Sequence, residues 1–189
     1  MRRLDERFDQ PLAWVPTRGR TRCDELRSGG HVLAQLSRTP GWRQQTQATT
    51  ALGTWYLRRA GLLRQRLVAT DAASGAEVAV FRPDWRGEGV VDFREGGTFQ
   101  FRCMSAGMTR WAVLDRTDDL LLEYELHPLS FHSGAGLIIT DAARERTELS
   151  LLVAMGWFLV IAAADDASVA SAITAASAAT MGLAAMTSR

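Results

Sequence analysis

The sequence predicts a mainly β protein, a closed antiparallel β-barrel of about 12 strands around a buried hydrophobic C-terminal helix. Three observations predict it. From residue 23 onward, short segments bounded by turn residues follow one another, and several alternate strictly between apolar and polar side chains. The run LSLLVAMGWFLVIAAA at 149–164 carries no charge and has no polar face, so as a helix it must be buried on all sides. The lengths also agree: a 16-residue helix is roughly 24 Å long and a seven-residue strand roughly 23 Å.

Residues 1–22 mix charges with Pro11, Pro16 and Gly19 and show no sustained period. They read as an N-terminal arm, with Leu12 and Trp14 docking onto the body. Strands are expected at 31–37, 43–50, 54–59, 62–70, 77–82, 89–94, 98–103, 110–115, 120–127 and 136–140, with one or two more missed. Phe99, Phe101 and Cys103 share one face, with Gln100 and Arg102 on the other. Leu120, Leu122, Tyr124 and Leu126 likewise oppose Glu123, Glu125 and His127. Ser74-Gly75, Glu95-Gly96-Gly97 and Ala106-Gly107 supply turn residues that tolerate positive φ, and all five prolines are expected outside strand cores. For the hairpin around Gly61, a three-residue loop, Arg59-Ala60-Gly61, pairs Arg58 with Leu62 and Tyr56 with Arg64. It gathers Trp55, Leu57, Leu63, Leu67 and Ala69 on one face and Arg58, Arg64 and Arg66 on the other. The barrel domain spans 23–164, with its helix at 146–164, and 165–189 is an Ala/Ser-rich tail.

The apolar run has competing readings. It is shorter than the roughly 20 residues that usually span a bilayer, and Trp157 lies near its middle rather than at an interface. A tail-anchored protein with 149–164 in the bilayer is the alternative, and a helix packed outside a sandwich is a third. Bulk properties narrow the function classes. A net charge of +1 lacks the basic excess of a nucleic-acid binder, and every basic residue is Arg. Cys23 and Cys103 form no CxxC pair, and MRRLDERFDQP lacks the apolar core of a signal peptide. A reducing, cytoplasmic setting is therefore expected.

Strands across 23–140, followed directly by an uncharged helix containing Gly156-Trp157, resemble the tubby C-terminal-like superfamily. The nearest branch is the LURP-one-related and phospholipid-scramblase-like proteins. The DxxxG turn from Asp71 to Gly75, the following AEVAVF, and RWAVLD at 110–115 are similar in texture. The resemblance implies a 12-stranded barrel around a hydrophobic helix. Its functional precedents are phosphoinositide binding in tubby proteins and lipid scrambling in the scramblase branch. This chain departs from both: it has no Lys for a tubby-type Lys/Arg cluster, and it lacks the proline-rich region, cysteine cluster and acidic calcium segment of scramblases.

The candidate ligand site is Arg58, Arg64 and Arg66, whose guanidinium groups on one strand face would hold a phosphate headgroup through charge-assisted hydrogen bonds. Anionic phospholipid headgroups or a membrane surface are the expected partner, with the protein peripheral to the membrane. The competing reading is a solvated face balanced by nearby acids. His31, His127 and His132 have no zinc spacing, and Asp115, Asp118 and Asp119 lack the Gly and Glu of a calcium loop and read as a hairpin turn. Asp165-Asp166 ends the apolar run, unfavourably for the helix dipole. No nucleophile elbow, phosphate loop or nucleotide fingerprint is present. Ser130 and His132 put nucleophile and base types close together, but adjacency in sequence does not build a triad. The expectation is a non-enzymatic binding or scaffold module without metal or cofactor, the alternatives being the tail anchor and a hydrolase with an unrecognised site.

Overall fold

The computed structural model describes residues 1–17, 22–38, 45–60, 66–84, 86–126 and 134–165. Twelve strands form one closed antiparallel barrel in which every sequence neighbour is also a spatial neighbour and β1 returns to pair with β12. The strands are β1 (Leu12–Thr17), β2 (Arg22–Ser28), β3 (His31–Arg38), β4 (Gln45–Thr50), β5 (Gly53–Ala60) and β6 (Arg66–Asp71). They continue with β7 (Glu77–Pro83), β8 (Gly89–Phe93), β9 (Thr98–Cys103), β10 (Arg110–Leu114), β11 (Leu120–Leu126) and β12 (Ala135–Ile139). Closure gives every strand a neighbour on both sides, so no strand is an edge strand. A short helix α1 (Asp141–Arg144) follows, started by Thr140, whose hydroxyl accepts from the Ala143 N–H at 3.3 Å. A longer helix, α2, runs over 149–165. Among the described residues no helix is long and apolar enough to cross a membrane.

Register carries one face of every strand around the ring. Trp14 pairs with Leu26, Ala48 with Trp55, Leu57 with Ala69, Phe81 with Val91, Val91 with Phe99, Phe101 with Val113, Trp111 with Tyr124, and Tyr124 with Leu137. These residues form a single hydrophobic core together with Leu149, Leu152, Val153, Met155, Trp157 and Val160 of α2. Every residue from 149 to 157 is buried. Trp157 stacks on Trp14 with ring centroids 5.6 Å apart, and the Tyr124 hydroxyl donates to the Val153 carbonyl at 2.9 Å. Burial pushes the Tyr124 phenol far up from its ordinary value, so it stays a neutral donor.

Several expectations need correction. The N-terminal arm does not end at residue 22: Leu12–Thr17 is a barrel strand, paired with both β2 and β12. Pro16 therefore sits inside a strand. It is tolerated because β12 pairs only with residues 12–14, so no ladder donor is missing on that side. The helix predicted from 146 starts at 149, after a turn. In the turn after β9 the positive φ falls on Met108 rather than on Gly107, whereas Gly75 takes +70° as its turn requires. Asp115 to Asp119 is the expected hairpin turn, closed by Asp115 accepting from the Thr117 N–H at 2.8 Å and the Asp119 N–H at 3.1 Å. Most of the Ala/Ser-rich tail, 166–189, lies outside the described residues.

One ion pair accounts for the acid at the end of α2. Asp165 lies 3.7 Å from Arg38 of β3, which also pairs with the buried Asp24 at 3.1 Å. A guanidinium beside the helix terminus offsets the unfavourable dipole contact.

At the other end, Glu148 fastens the start of α2 to the β8–β9 turn. Its carbonyl accepts the first helical bond from the Leu152 N–H at 2.9 Å, and its carboxylate accepts from the Gly97 N–H at 2.7 Å. Burial alone would raise the Glu148 carboxyl. The hydrogen bonds from Gly97, from its own N–H and from Thr147, with Arg146 nearby, outweigh that and hold it below 4.5. A carboxyl depressed in the folded state stabilises above its unfolded value and loses that contribution as pH falls through the folded one. The stability gap between wild type and Glu148→Gln should therefore be constant above about pH 6 and shrink toward pH 3, as read by urea titrations across that range. A pH-independent gap would contradict the clasp.

Candidate anion-binding face

β5 and β6 present Arg58 and Arg66 on the outside of the barrel. Odd positions of β5 share the face of the buried Leu57, so Arg58 points outward, opposite Val68, while Ala60 pairs with Arg66. This differs from the expected hairpin, in which Arg58 met Leu62. β5 runs on to Ala60, and residues 61–65, Arg64 among them, lie outside the described residues. The expected inward set holds for Leu57, Leu67 and Ala69, and Trp55 shares their parity. Arg58 and Arg66 are diagonal neighbours across the two strands, a spacing of roughly 7–8 Å that long side chains bridge easily. Both are exposed.

Their surroundings set them apart from four other arginines on the strands. Arg82 pairs with Asp92, Arg102 with Asp118 at 2.9 Å, Arg110 with Glu123 at 2.5 Å, and Arg27 with Glu25 at 2.5 Å. Arg58 and Arg66 make no ion pair or hydrogen bond among the described residues. The outer positions beside them are Gln45, Gln47, Tyr56, Val68 and Thr70, with no acid.

This follows from a sequence feature that whole-chain net charge conceals. Residues 26–70 contain seven arginines and not one Asp or Glu; the other fifteen arginines share the rest of the chain with all 21 acids. The topology places β3, β4, β5 and β6 side by side, so the acid-free stretch becomes a contiguous sector of the wall. Exposed cations with no neighbouring carboxylate raise the local positive potential and are available to an external anion. Arg59 lies on the inward parity of β5, near the rim. It borders a small cavity of about 90 Å³ with Arg66, Leu67, Phe81, Phe158 and Leu159.

The remaining candidates are quickly placed. Ser130, His127 and His132 lie outside the described residues, and His31 sits exposed at the start of β3. Among the described residues no group of three or more His, Cys, Asp or Glu side chains could hold a metal ion. Cys23 and Cys103 are free thiols. Comparison with protein-family models, with curated proteins and with solved structures finds no match for the chain.

Proposed function

We propose that the chain is a non-enzymatic binding or scaffold module, a tubby-like or LURP-one-like barrel wrapped around α2, whose β4–β6 face docks anionic phosphate groups at a membrane surface. The enclosure of α2 by the wall is supported by the continuous burial of 149–157 and by the contacts of Trp157 with Trp14 and of Val153 with Tyr124. The observation that carries the binding reading is the pair Arg58 and Arg66, without a carboxylate partner among the described residues, on a barrel where the outward strand arginines Arg27, Arg82, Arg102 and Arg110 are each matched by a carboxylate. Two guanidinium forks at diagonal spacing suit a phosphate group, since each donates paired hydrogen bonds to an oxyanion. On this reading the protein is cytoplasmic and peripheral to the membrane.

Vesicle flotation tests it. The full chain should float with phosphatidylcholine vesicles containing phosphatidylserine and not with phosphatidylcholine alone. At about 1 kcal/mol per surface arginine, Arg58→Ala with Arg66→Ala should weaken binding roughly 30-fold. Inorganic phosphate that competes at millimolar concentration would indicate a free-phosphate site instead. Equal flotation with both vesicle types, or a double variant that binds like wild type, overturns the lipid reading. Recovery in the soluble phase without detergent excludes the tail-anchored alternative, and a broad hydrolase screen addresses the enzymatic one.

A further inference from the structure

We infer that the mouth of the barrel at the start of α2 is a binding site for a small organic cation with an apolar body, separate from the arginine face. A cavity of about 540 Å³ opens there, within the size range of small-molecule sites. It is assembled from four separate parts of the chain: the start of β5, the β6–β7 turn, the β8–β9 turn and the first turn of α2. Trp55, Val78, Phe93 and Leu151 give it apolar walls, and Phe93 is held edge-on against Phe99 with centroids 5.6 Å apart.

The charged lining is lopsided. Asp71, Glu77, Glu95 and Glu148 face it, against Arg94 alone. Asp71 and Glu148 are already engaged: Asp71 accepts from the Ser74 N–H at 2.7 Å and Glu148 from Gly97. Glu77 and Glu95 are exposed and make no hydrogen bond or ion pair among the described residues. Such a rim repels a carboxylate or phosphate and attracts an ammonium group. Trp55 adds an aromatic face, the preferred partner of a cation.

A second observation points to a ligand independently of the charges. Ser150 lines this cavity at 3 % exposure, and its hydroxyl has no hydrogen-bond partner among the described residues. The Ser150 hydroxyl is reachable from the cavity, where a polar atom on a bound molecule can pair with it.

A matched indole series tests the inference on the full chain: tryptamine as the cation, tryptophol as the neutral molecule and indole-3-propionate as the anion. Binding is followed by NMR shifts of Trp55, Phe93 and Leu151. At low salt tryptamine should bind at least tenfold more tightly than indole-3-propionate. Glu77→Gln with Glu95→Gln, both exposed and harmless to the fold, should bring the two within about threefold. Ser150→Ala should weaken tryptamine and tryptophol alike. No shift at these residues with any of the three at roughly 5 mM overturns the site. An anion that binds as well as the cation, or a charge preference that survives the double variant, overturns the assignment of ligand class. None of these outcomes depends on Arg58 or Arg66, so this site and the lipid-binding face stand or fall separately.

Discussion

Gly156→Arg should cost more than about 4 kcal/mol of stability, and Gly156→Ala about 1–3 kcal/mol. A Cβ at this position would overlap the Tyr124 hydroxyl oxygen and would lie 2.7 Å from the ring Cζ and 2.9 Å from Cε2. Tyr124 cannot swing clear, because its ring is fully buried and its hydroxyl is tied to the Val153 carbonyl one turn earlier on the same helix. Alanine therefore forces apart the contact between α2 and β11. Arginine adds an unpaired charge at a position buried away from solvent. The check is urea denaturation of each variant, with Tyr124→Phe as a second background. Removing the hydroxyl relieves the nearest clash, so Gly156→Ala should cost less there than in wild type. A penalty under 0.5 kcal/mol for Gly156→Arg is what an exposed helix surface would give, and it would contradict the proposed enclosure of α2.

Trp157→Ala should cost about 3–5 kcal/mol, the range for deleting a buried aromatic side chain whose cavity cannot collapse. Trp157 is 3 % exposed, stacks on Trp14 of β1 and lies 6.5 Å from the Tyr124 ring. Truncation thus removes the contacts of this side chain with two strands that meet through β12. Trp157→Phe should be far milder. The indole Nε1 atoms of Trp14 and Trp157 are both buried without a hydrogen-bond partner among the described residues, and phenylalanine eliminates one of these donors while keeping a stacked ring. Relief of an unpaired buried donor is worth about 1–3 kcal/mol, enough to offset much of the lost area. Equal penalties for Ala and Phe would show that the indole nitrogen is satisfied by water.

The parts of the fold that were readable in the sequence are those governed by local rules. Phe99 and Phe101 of β9 announce their buried face by strict alternation, and the uncharged run at 149–164, with no polar side, reads as a helix, of which 149–157 is buried. β1 and β2 were not readable. LAWVPT contains a proline and RCDELRS is half charged, and neither is made a strand by its own composition. Barrel closure makes them strands, a long-range requirement that pairs Trp14 with Ala135 across more than a hundred residues. The β5–β6 register failed for a related reason. Arg58-Arg59-Ala60-Gly61 looks like the end of a strand and a bulged turn, but Arg59 continues the ladder opposite Leu67, with its side chain on the inward parity at the rim.

The candidate site was legible in part. Arg58 and Arg66 do share the outer face, which alternation alone predicts. What set them apart, the acid-free stretch 26–70, was visible in the letters but averaged away in a net charge of +1. Charge bears on binding by sector, and only the strand order reveals which residues share one. The acidic mouth was not legible. Leu52, Asp71, Phe93 and Ser150 belong to segments with no common motif, and only the fold joins them.

Native-state hydrogen exchange of the α2 amides, residues 152–160, tests the central claim most directly. A helix wrapped by the closed wall can expose these amides only when the barrel opens, so they should exchange with the free energy of global unfolding and share the denaturant dependence of the β11 amides. Exchange at substantially lower free energy, with no denaturant dependence while the strands stay protected, would mean that α2 detaches on its own and would contradict the account.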